Sequence, residues 1–450
     1  MNGRRERVAV FGAGRVGLVT AACLAEVGHT VVCIDRDTDK IDRLRGGETP
    51  IYEPGLEPLI RRNEQAGRLA FTVEAREAVG RSDVVIVAVG TPPLATGDVD
   101  LAQVWEVADC LAESIDAPKW IAVKSTVPVG TCRKLEERLR ASVGPDVPVY
   151  VVSNPEFLRE GSAIDDTFGA DRVVVGCAEP EAGERIRQLY EPFGVPVFLT
   201  DRESAELIKY AANAFLAMKI SFINEIANIC EKVGADVESV AKGIGMDRRI
   251  GPHFLRAGIG YGGSCFPKDT TAQLRFAENV DYEFRILRAV VEVNRLQRLR
   301  FVDKIETALG GVARKRIALL GLTFKPDTDD LRDSPALDIA NELVRRGASV
   351  CAFDPVAYRS AAALVPGAET TGDLKRALAG ADAVVVATEW EVVRALDLAA
   401  ARSLVRTPII IDGRNVWEPR SVAAAGWRYV SVGRPEAGAA SAVEGRTSGG

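Results

Sequence analysis

Histidine is nearly absent. Two occur in 450 residues, His29 and His253, and neither stands among residues that would complete a metal site or a Ser-His-Asp apparatus. No pair of the eight cysteines (positions 23, 33, 110, 132, 177, 230, 265 and 351) has Cys-x-x-Cys spacing, which argues against zinc ribbons and thioredoxin-like redox sites. Positive charge is not in excess: the net charge is −6, so no basic field exists to hold nucleic acid or an acidic membrane. No stretch reaches the roughly 18 uninterrupted apolar residues of a membrane span. The N-terminal RRER followed by an apolar run mimics a secretory signal. Gly12, Gly14, Arg15 and Gly17 interrupt that run, so it reads instead as strand, turn and helix. The expected setting is the reducing cytoplasm, where free thiols persist.

What is present is the composition of a globular protein, 47% hydrophobic and 27% charged, which allows large cores. At roughly 150 residues per domain, the length fits two or three domains. Over residues 1–202, short β-branched runs (RVAVFG, TVVCID, DVVIVAVG, WIAVKST, VYVVSN, RVVVG, VPVFL) alternate with helical patterns. Unbroken apolar strands separated by helices predict a doubly wound α/β domain with a parallel sheet covered on both faces. Residues 203–233 hold no glycine or proline and predict one long helix, with Leu207, Ile208, Ala211, Phe215, Ile223, Ile226 and Ile229 as its apolar stripe. Such a helix would bridge two domains and offer a dimer surface. With further helix from about 235 to 300, it makes a central helical domain over 203–312. A second Rossmann-like unit is expected over 313–433, from RIALLG, SVCAFDP, ADAVVVATEW and PIIIDGRN. A tail from 434 to 450, rich in Ala, Gly and Ser, is expected to be disordered.

Gly12-Ala13-Gly14-Arg15-Val16-Gly17 follows the first strand and opens a helix. Glycines there permit a tight turn and close backbone approach, and the helix N-terminus meets a pyrophosphate. Asp35 ends the next strand at the spacing of a ribose-binding acid and favours NAD over NADP, with Arg36 as a mild counter-signal. Thr91 and Thr126 follow other strand ends, where either a cofactor contact or plain turn chemistry fits. The second unit lacks G-x-G-x-x-G. It carries Gly321-Leu322-Thr323-Phe324-Lys325 instead, which suits a different phosphate ligand.

Tyr261-Gly262-Gly263-Ser264-Cys265-Phe266-Pro267-Lys268-Asp269 sets one cysteine apart. The Gly-Gly pair allows a ligand to approach, Pro267 suits a first helical turn, and Lys268 with a helix N-terminus favours thiolate. Asp269, four residues on, shares a helix face with Cys265 and could act as general base. A nucleophile and a packed thiol both fit this local context. Lys209 and Asn213 are likewise spaced i, i+4, and Glu156 follows a strand end on the ligand side. A surface lysine and a capping acid are the bland readings.

The motifs GAGRVGL, GTPP, STVPVGT, NPEFLREG, ELIKYAANAFLAMKISFINE, GIGYGGSCFPKD, GLTFKPDTDDLRDSP and DGRN resemble those of the UDP-glucose/GDP-mannose dehydrogenases, over about residues 7 to 430. The resemblance implies a two-step, NAD-dependent oxidation of a primary alcohol to a carboxylate. It assigns Cys265 as nucleophile, Lys209 as oxyanion stabiliser and Asp269 as the acid working with an ordered water. Thr126 and Glu156 position that water, Glu156 also serves thioester hydrolysis, and Asn213 contacts substrate and oxyanion. It implies cofactor contacts from Gly12, Gly14, Val16, Gly17, Asp35, Lys40, Thr91, Thr126, Lys268 and Arg332. Substrate contacts would come from Phe157, Leu158, Glu160, Lys209, Asn213, Phe254, Gly258, Tyr261, Gly262, Phe324 and Lys325. Arg249 would reach the substrate of a neighbouring subunit, which implies a homodimer. GIGYGGSCFPKD looks more like the members acting on UDP-glucose than those acting on GDP-mannose or N-acetylmannosamine derivatives. Arg15 departs from the family, where tyrosine is common. β-Hydroxyacid and 6-phosphogluconate dehydrogenases pair a similar lysine and asparagine with one oxidation step and no cysteine, and a non-catalytic sugar-nucleotide regulator is a third reading.

Overall fold

A computed structural model describes residues 5–438. The chain packs as two units, one from the residues before Asn213 with Thr271–Tyr282, the other from Asn213–Thr270 and the residues from Glu283 on. Among the described residues, no helix is long and apolar enough to cross a membrane.

The first unit is built on eight strands: β1 (Arg7–Phe11), β2 (Thr30–Ile34), β3 (Leu69–Thr72), β4 (Val84–Val87), β5 (Lys119–Val123), β6 (Val149–Ser153), β7 (Val173–Gly176) and β8 (Val197–Thr200). Their order is β3-β2-β1-β4-β5-β6-β7-β8. The sheet is parallel except where β7 meets β6 through one antiparallel pairing, Ser153 with Gly176. Alternate residues of the central strands feed two cores. Val8, Val10, Val84 and Ile86 face one; Ala9, Phe11, Val85 and Val87 face the other. Burial on both faces is why these strands read as unbroken apolar runs. Strand order reverses between β1 and β4, so their carboxyl ends frame the crevice in which such sheets bind ligands.

The second unit carries β9 (Arg316–Leu320), β10 (Ser349–Phe353), β11 (Glu369–Thr371), β12 (Ala383–Val386), β13 (Ile409–Asp412) and β14 (Arg428–Ser431). They are ordered β11-β10-β9-β12-β13-β14 and all parallel. One face of this sheet shares a core with helical residues Ile223, Ala227, Phe301 and Ile305.

The long helix spans Arg202–Val233. Asp201 caps its start by accepting from the Ser204 N–H at 2.7 Å, and Gly234, with φ 73°, stops it. Its buried face differs from the expected stripe. Ala205, Tyr210, Ala214, Ala217, Ile223, Ala227 and Cys230 are buried, whereas Leu207, Phe215, Phe222 and Ile229 are exposed. Alanine dominates the inward face, with Tyr210 and Ile223 as its larger members. At the other end of the chain, Ala437 and Tyr429 exchange backbone hydrogen bonds of 2.8 and 3.0 Å, and Arg434 is buried. The first five residues of the tail expected from 434 are thus part of the fold, while 439–450 lie outside the described residues.

Candidate active site

In the first unit, the turn after β1 has a steric reason for two of its three glycines. Gly12 has φ 101°, and a Cβ on it would lie 2.4 Å from the Ala88 carbonyl oxygen. A Cβ on Gly17 would lie 1.9 Å from the Gly12 oxygen, so this glycine sets the approach of helix Arg15–Glu26 to the strand. A Cβ on Gly14 would meet nothing within 4 Å, which leaves open backbone at the helix N-terminus for a phosphate. Asp35, at the end of β2, accepts from the Ala13 N–H (2.8 Å), the Asp37 N–H (3.0 Å) and Lys40 Nζ (2.9 Å). Burial pushes its carboxyl up, but Lys40 and the two amides outweigh this and hold it below the ordinary value. Lys40 therefore reaches the site through Asp35. These residues fit a dinucleotide: a helix N-terminus left open by Gly14 for the pyrophosphate and a half-buried, ionised acid for a ribose hydroxyl. Thr91 and Thr126 follow β4 and β5, whose ends are tied by the Ser125 hydroxyl donating to the Val89 carbonyl at 2.7 Å. Arg15 donates to the Tyr52 carbonyl at 2.9 Å and lies 3.4 Å from Glu160, so this departure from the family pattern joins the glycine turn to the 155–160 loop.

That loop follows β6 and carries Glu156. Its carboxylate accepts from Lys209 Nζ at 3.0 Å and from the Leu158 N–H at 2.6 Å, and both side chains of the ion pair are buried. Burial raises the carboxyl's affinity for a proton, but Lys209, the Leu158 amide and Lys124 reverse this and leave Glu156 below the ordinary carboxylate value. The Phe157 ring lies between the Arg172 guanidinium, 3.7 Å from its centroid, and Lys209 Nζ at 5.4 Å.

In the second unit, Cys265 immediately precedes the helix Phe266–Asn279. Its carbonyl accepts from the Asp269 N–H at 2.8 Å, which places the two residues one turn apart. The carboxylate of Asp269 is 2% exposed and receives Asn213 Nδ2 and Lys268 Nζ, each at 2.6 Å. Lys268 thus supports the buried acid. The Gly-Gly pair has a different reason from the one expected. A Cβ on Gly262 would lie 2.3 Å from the Asp333 carbonyl oxygen, and one on Gly263 would lie 2.7 Å from the Phe324 ring. The protein's own loop fills that space, and the Gly263 N–H is fixed by the Arg332 carbonyl at 3.0 Å.

The stretch 254–262 is held by side chains that sequence reasoning missed. Asn224 accepts from the Gly258 N–H, Gln297 donates to the Gly258 carbonyl, and Asn294 accepts from and donates to the Tyr261 backbone. Arg414 of DGRN donates to the carbonyls of Gly260, Phe324 and Ala387. Phe254 has φ 63°, costly for a bulky residue and typical of functional loops. Its ring and that of Tyr261 stand edge-on to Phe266. Lys325 lies over the ring of Phe324. Arg332 pairs with Asp330, and Arg249 with Asp247, the Arg249 side chain being 89% exposed.

Family models match three successive parts of the chain: the NAD binding domain of the UDP-glucose/GDP-mannose dehydrogenase family over residues 6–194, its central domain over 203–296 and its UDP binding domain over 318–419. The chain belongs to the UDP-glucose/GDP-mannose dehydrogenase family. It is an NAD-dependent oxidoreductase of the nucleotide-sugar class. A UDP-glucose 6-dehydrogenase of Bacillus subtilis (strain 168) is 48% identical over 428 residues, covering 95% of this chain and 97% of its own. One from Rhizobium meliloti (strain 1021) is 47% identical over 437 residues, covering 96% and 100%. The solved UDP-glucose dehydrogenase of the archaeon Pyrobaculum islandicum superposes with a TM-score of 0.89 at 38% identity, covering 96% of this chain and 99% of its own. A UDP-D-MAnNAc dehydrogenase from Pyrococcus horikoshii gives 0.84 at 29%, covering 95% and 99%.

Proposed function

We propose that the protein oxidises the C6 alcohol of UDP-glucose to the carboxylate in two steps through a thioester on Cys265. The observation that carries this reading is two buried polar pairs, Lys209 with Glu156 in the first unit and Asn213 with Asp269 in the second, together with Cys265 one turn before Asp269. The choice of UDP-glucose rests on relatives so named at up to 48% identity.

NAD, when bound, supplies the hydride acceptor for both oxidations. Asp269, through a water placed by Thr126 and Glu156, removes the C6 hydroxyl proton, and loss of hydride leaves an aldehyde. Cys265 Sγ, losing its proton to the water held by Asp269, then adds to the aldehyde carbon, forming the C–S bond while the carbonyl oxygen becomes an oxyanion under the Lys209 ammonium and the Asn213 amide. Loss of the second hydride leaves the thioester. Water, deprotonated by Glu156, adds to the acyl carbon; the C–S bond breaks, the thiol is regenerated and the carboxylate leaves. The sum is two hydrides and one water per sugar.

The decisive test assays a panel of UDP- and GDP-sugars with wild type and Cys265→Ala. The expected result is two NADH per UDP-glucose for wild type and no uronate for the variant. One NADH per sugar, or full activity in Cys265→Ala, overturns the reading. We further infer a homodimer working in the cytoplasm. Phe215, Phe222 and Ile229, exposed and seven residues apart, offer an apolar stripe for a second copy, and the Arg249 side chain, paired with Asp247, is 89% exposed. Sedimentation should give a dimer that Phe222→Glu converts to monomer.

A further inference from the structure

Lys124 is the first residue past β5, at the ligand end of the sheet, and is 8% exposed. Among the described residues its ammonium has one hydrogen-bond partner, the Tyr190 hydroxyl at 3.4 Å, and lies 5.6 Å from the centre of that ring. The Tyr190 hydroxyl donates in turn to Asn154 Oδ1, and Asn154 Nδ2 to the Val174 carbonyl at 2.9 Å. Asn154 stands two residues before Glu156, so the chain from Lys124 reaches the segment that carries the carboxylate. A buried ammonium with one long hydrogen bond is costly unless an anion lies near.

We propose that Lys124 is a positioning residue that keeps Glu156 ionised and aimed while Lys209 serves the substrate oxyanion. This rests on the reading of Lys209 and Glu156 given above. Lys209 pairs with the carboxylate directly, and Lys124 is a second buried cation tied to its loop through Tyr190 and Asn154. Were Lys209 the sole cation, its turn toward the oxyanion would strip a buried carboxylate of its counterion, and Glu156 would take up a proton when a base is needed. Glu156 itself is contacted by Lys209 from the long helix and the Leu158 amide of its own loop; Lys124 from the end of β5 connects to that loop through Tyr190 and Asn154, and Arg172 stacks on the adjacent Phe157. Lys124 also acts on Glu156 electrostatically, in the direction that favours the ionised form.

The test compares wild type, Lys124→Met, Lys124→Gln and Lys124→Arg. Two readouts are taken: the pH dependence of kcat with UDP-glucose, and the carbon-13 titration of the Glu156 carboxyl, identified by its loss in Glu156→Gln. Removing the cation should move the acid limb of kcat and the Glu156 midpoint upward by about one pH unit, a tenfold loss of rate on the acid side. The KM values should change less than about threefold, and Lys124→Arg should restore the wild-type profile. If Lys124→Met does not fold, Lys124→Gln, which keeps a donor for Tyr190, decides. An unmoved Glu156 midpoint in a folded, neutral variant overturns the proposal. Should wild type make no uronate, the catalytic reading fails, and the carbon-13 titration still judges Lys124.

Discussion

The two sheets share a strand order over six strands, and their first turns superimpose in logic. Gly12 donates to the Ile34 carbonyl and Gly321 to the Phe353 carbonyl, each at 2.7 Å. Each glycine has positive φ, 101° and 93°, and each sits against the start of the turn after the next strand over, at Ala88 and at Thr388. Each second strand is followed by an aspartate. There the likeness ends. Asp35 is half-buried and takes three donors, one of them the ammonium of Lys40. Asp354 is fully buried and takes the amides of Leu322, Thr323, Val356 and Ala357, the Thr323 hydroxyl and the Trp390 indole. The same position holds a half-buried acid, free to meet a ribose hydroxyl on the proposed reading, in one unit and a structural knot in the other. The difference accords with the family matches, an NAD binding domain for the first sheet and a UDP binding domain for the second.

The strongest way to break this comparison is at the shared glycines. Gly12→Ala and Gly321→Ala each force a Cβ into neighbouring chain at positive φ, and each should cost about 3–5 kcal/mol, read by urea unfolding. Only Gly12→Ala should also abolish saturation by NAD. The aspartates come next. Asp354→Ala should destabilise by about 2–4 kcal/mol, because buried donors lose their acceptor; Asp35→Ala should change stability by about 1 kcal/mol or less and raise the KM for NAD at least about tenfold. Equal stability losses would dissolve the distinction. Gly14→Ala should leave stability within about 1 kcal/mol, since its Cβ meets no protein atom, yet weaken NAD because the pyrophosphate needs that space.

The smallest expected effect is in pH. Asp35 is held below its unfolded value near 4, so its contribution is present above that value and fades as pH falls through the folded one. Asp412, at the end of β13, is displaced upward by burial, which outweighs the Tyr429 hydroxyl and two amides. Its contribution is full below about pH 4 and fades as pH rises through its folded value. Denaturant midpoints from pH 7 to 3 should therefore fall less steeply for Asp35→Asn, and more steeply for Asp412→Asn, than for wild type.

How much of this was legible in the sequence follows from burial. Central strands such as Val84–Val87 are closed on both faces and announce themselves as apolar runs. The sheet-edge strands β3, β11 and β14 escaped notice because they are short and partly polar; Glu369-Thr370-Thr371 has no apolar side chain. The ends of the long helix could be read from Asp201 and Gly234, but not its inward face, because Phe222 is as apolar as Ile223 and nothing local says which one packs. Cys265 was found through its helix start. Asn224, Asn294, Gln297 and Arg414 were not, because each holds a loop tens of residues away and looks in sequence like any helical amide or turn arginine.

The packing of Phe324 under Gly263 has one more consequence. The turn two residues before Cys265 and the Phe324 loop are fastened together, so they share one tolerance. On the proposed function, a substrate anchored against Phe324 would be measured off from the same reference surface as the sulfur that must reach it. Errors in seating one would be inherited by the other and cancel. Variation at Phe324 should accordingly be felt in the rate of sulfur attack before it is felt in affinity.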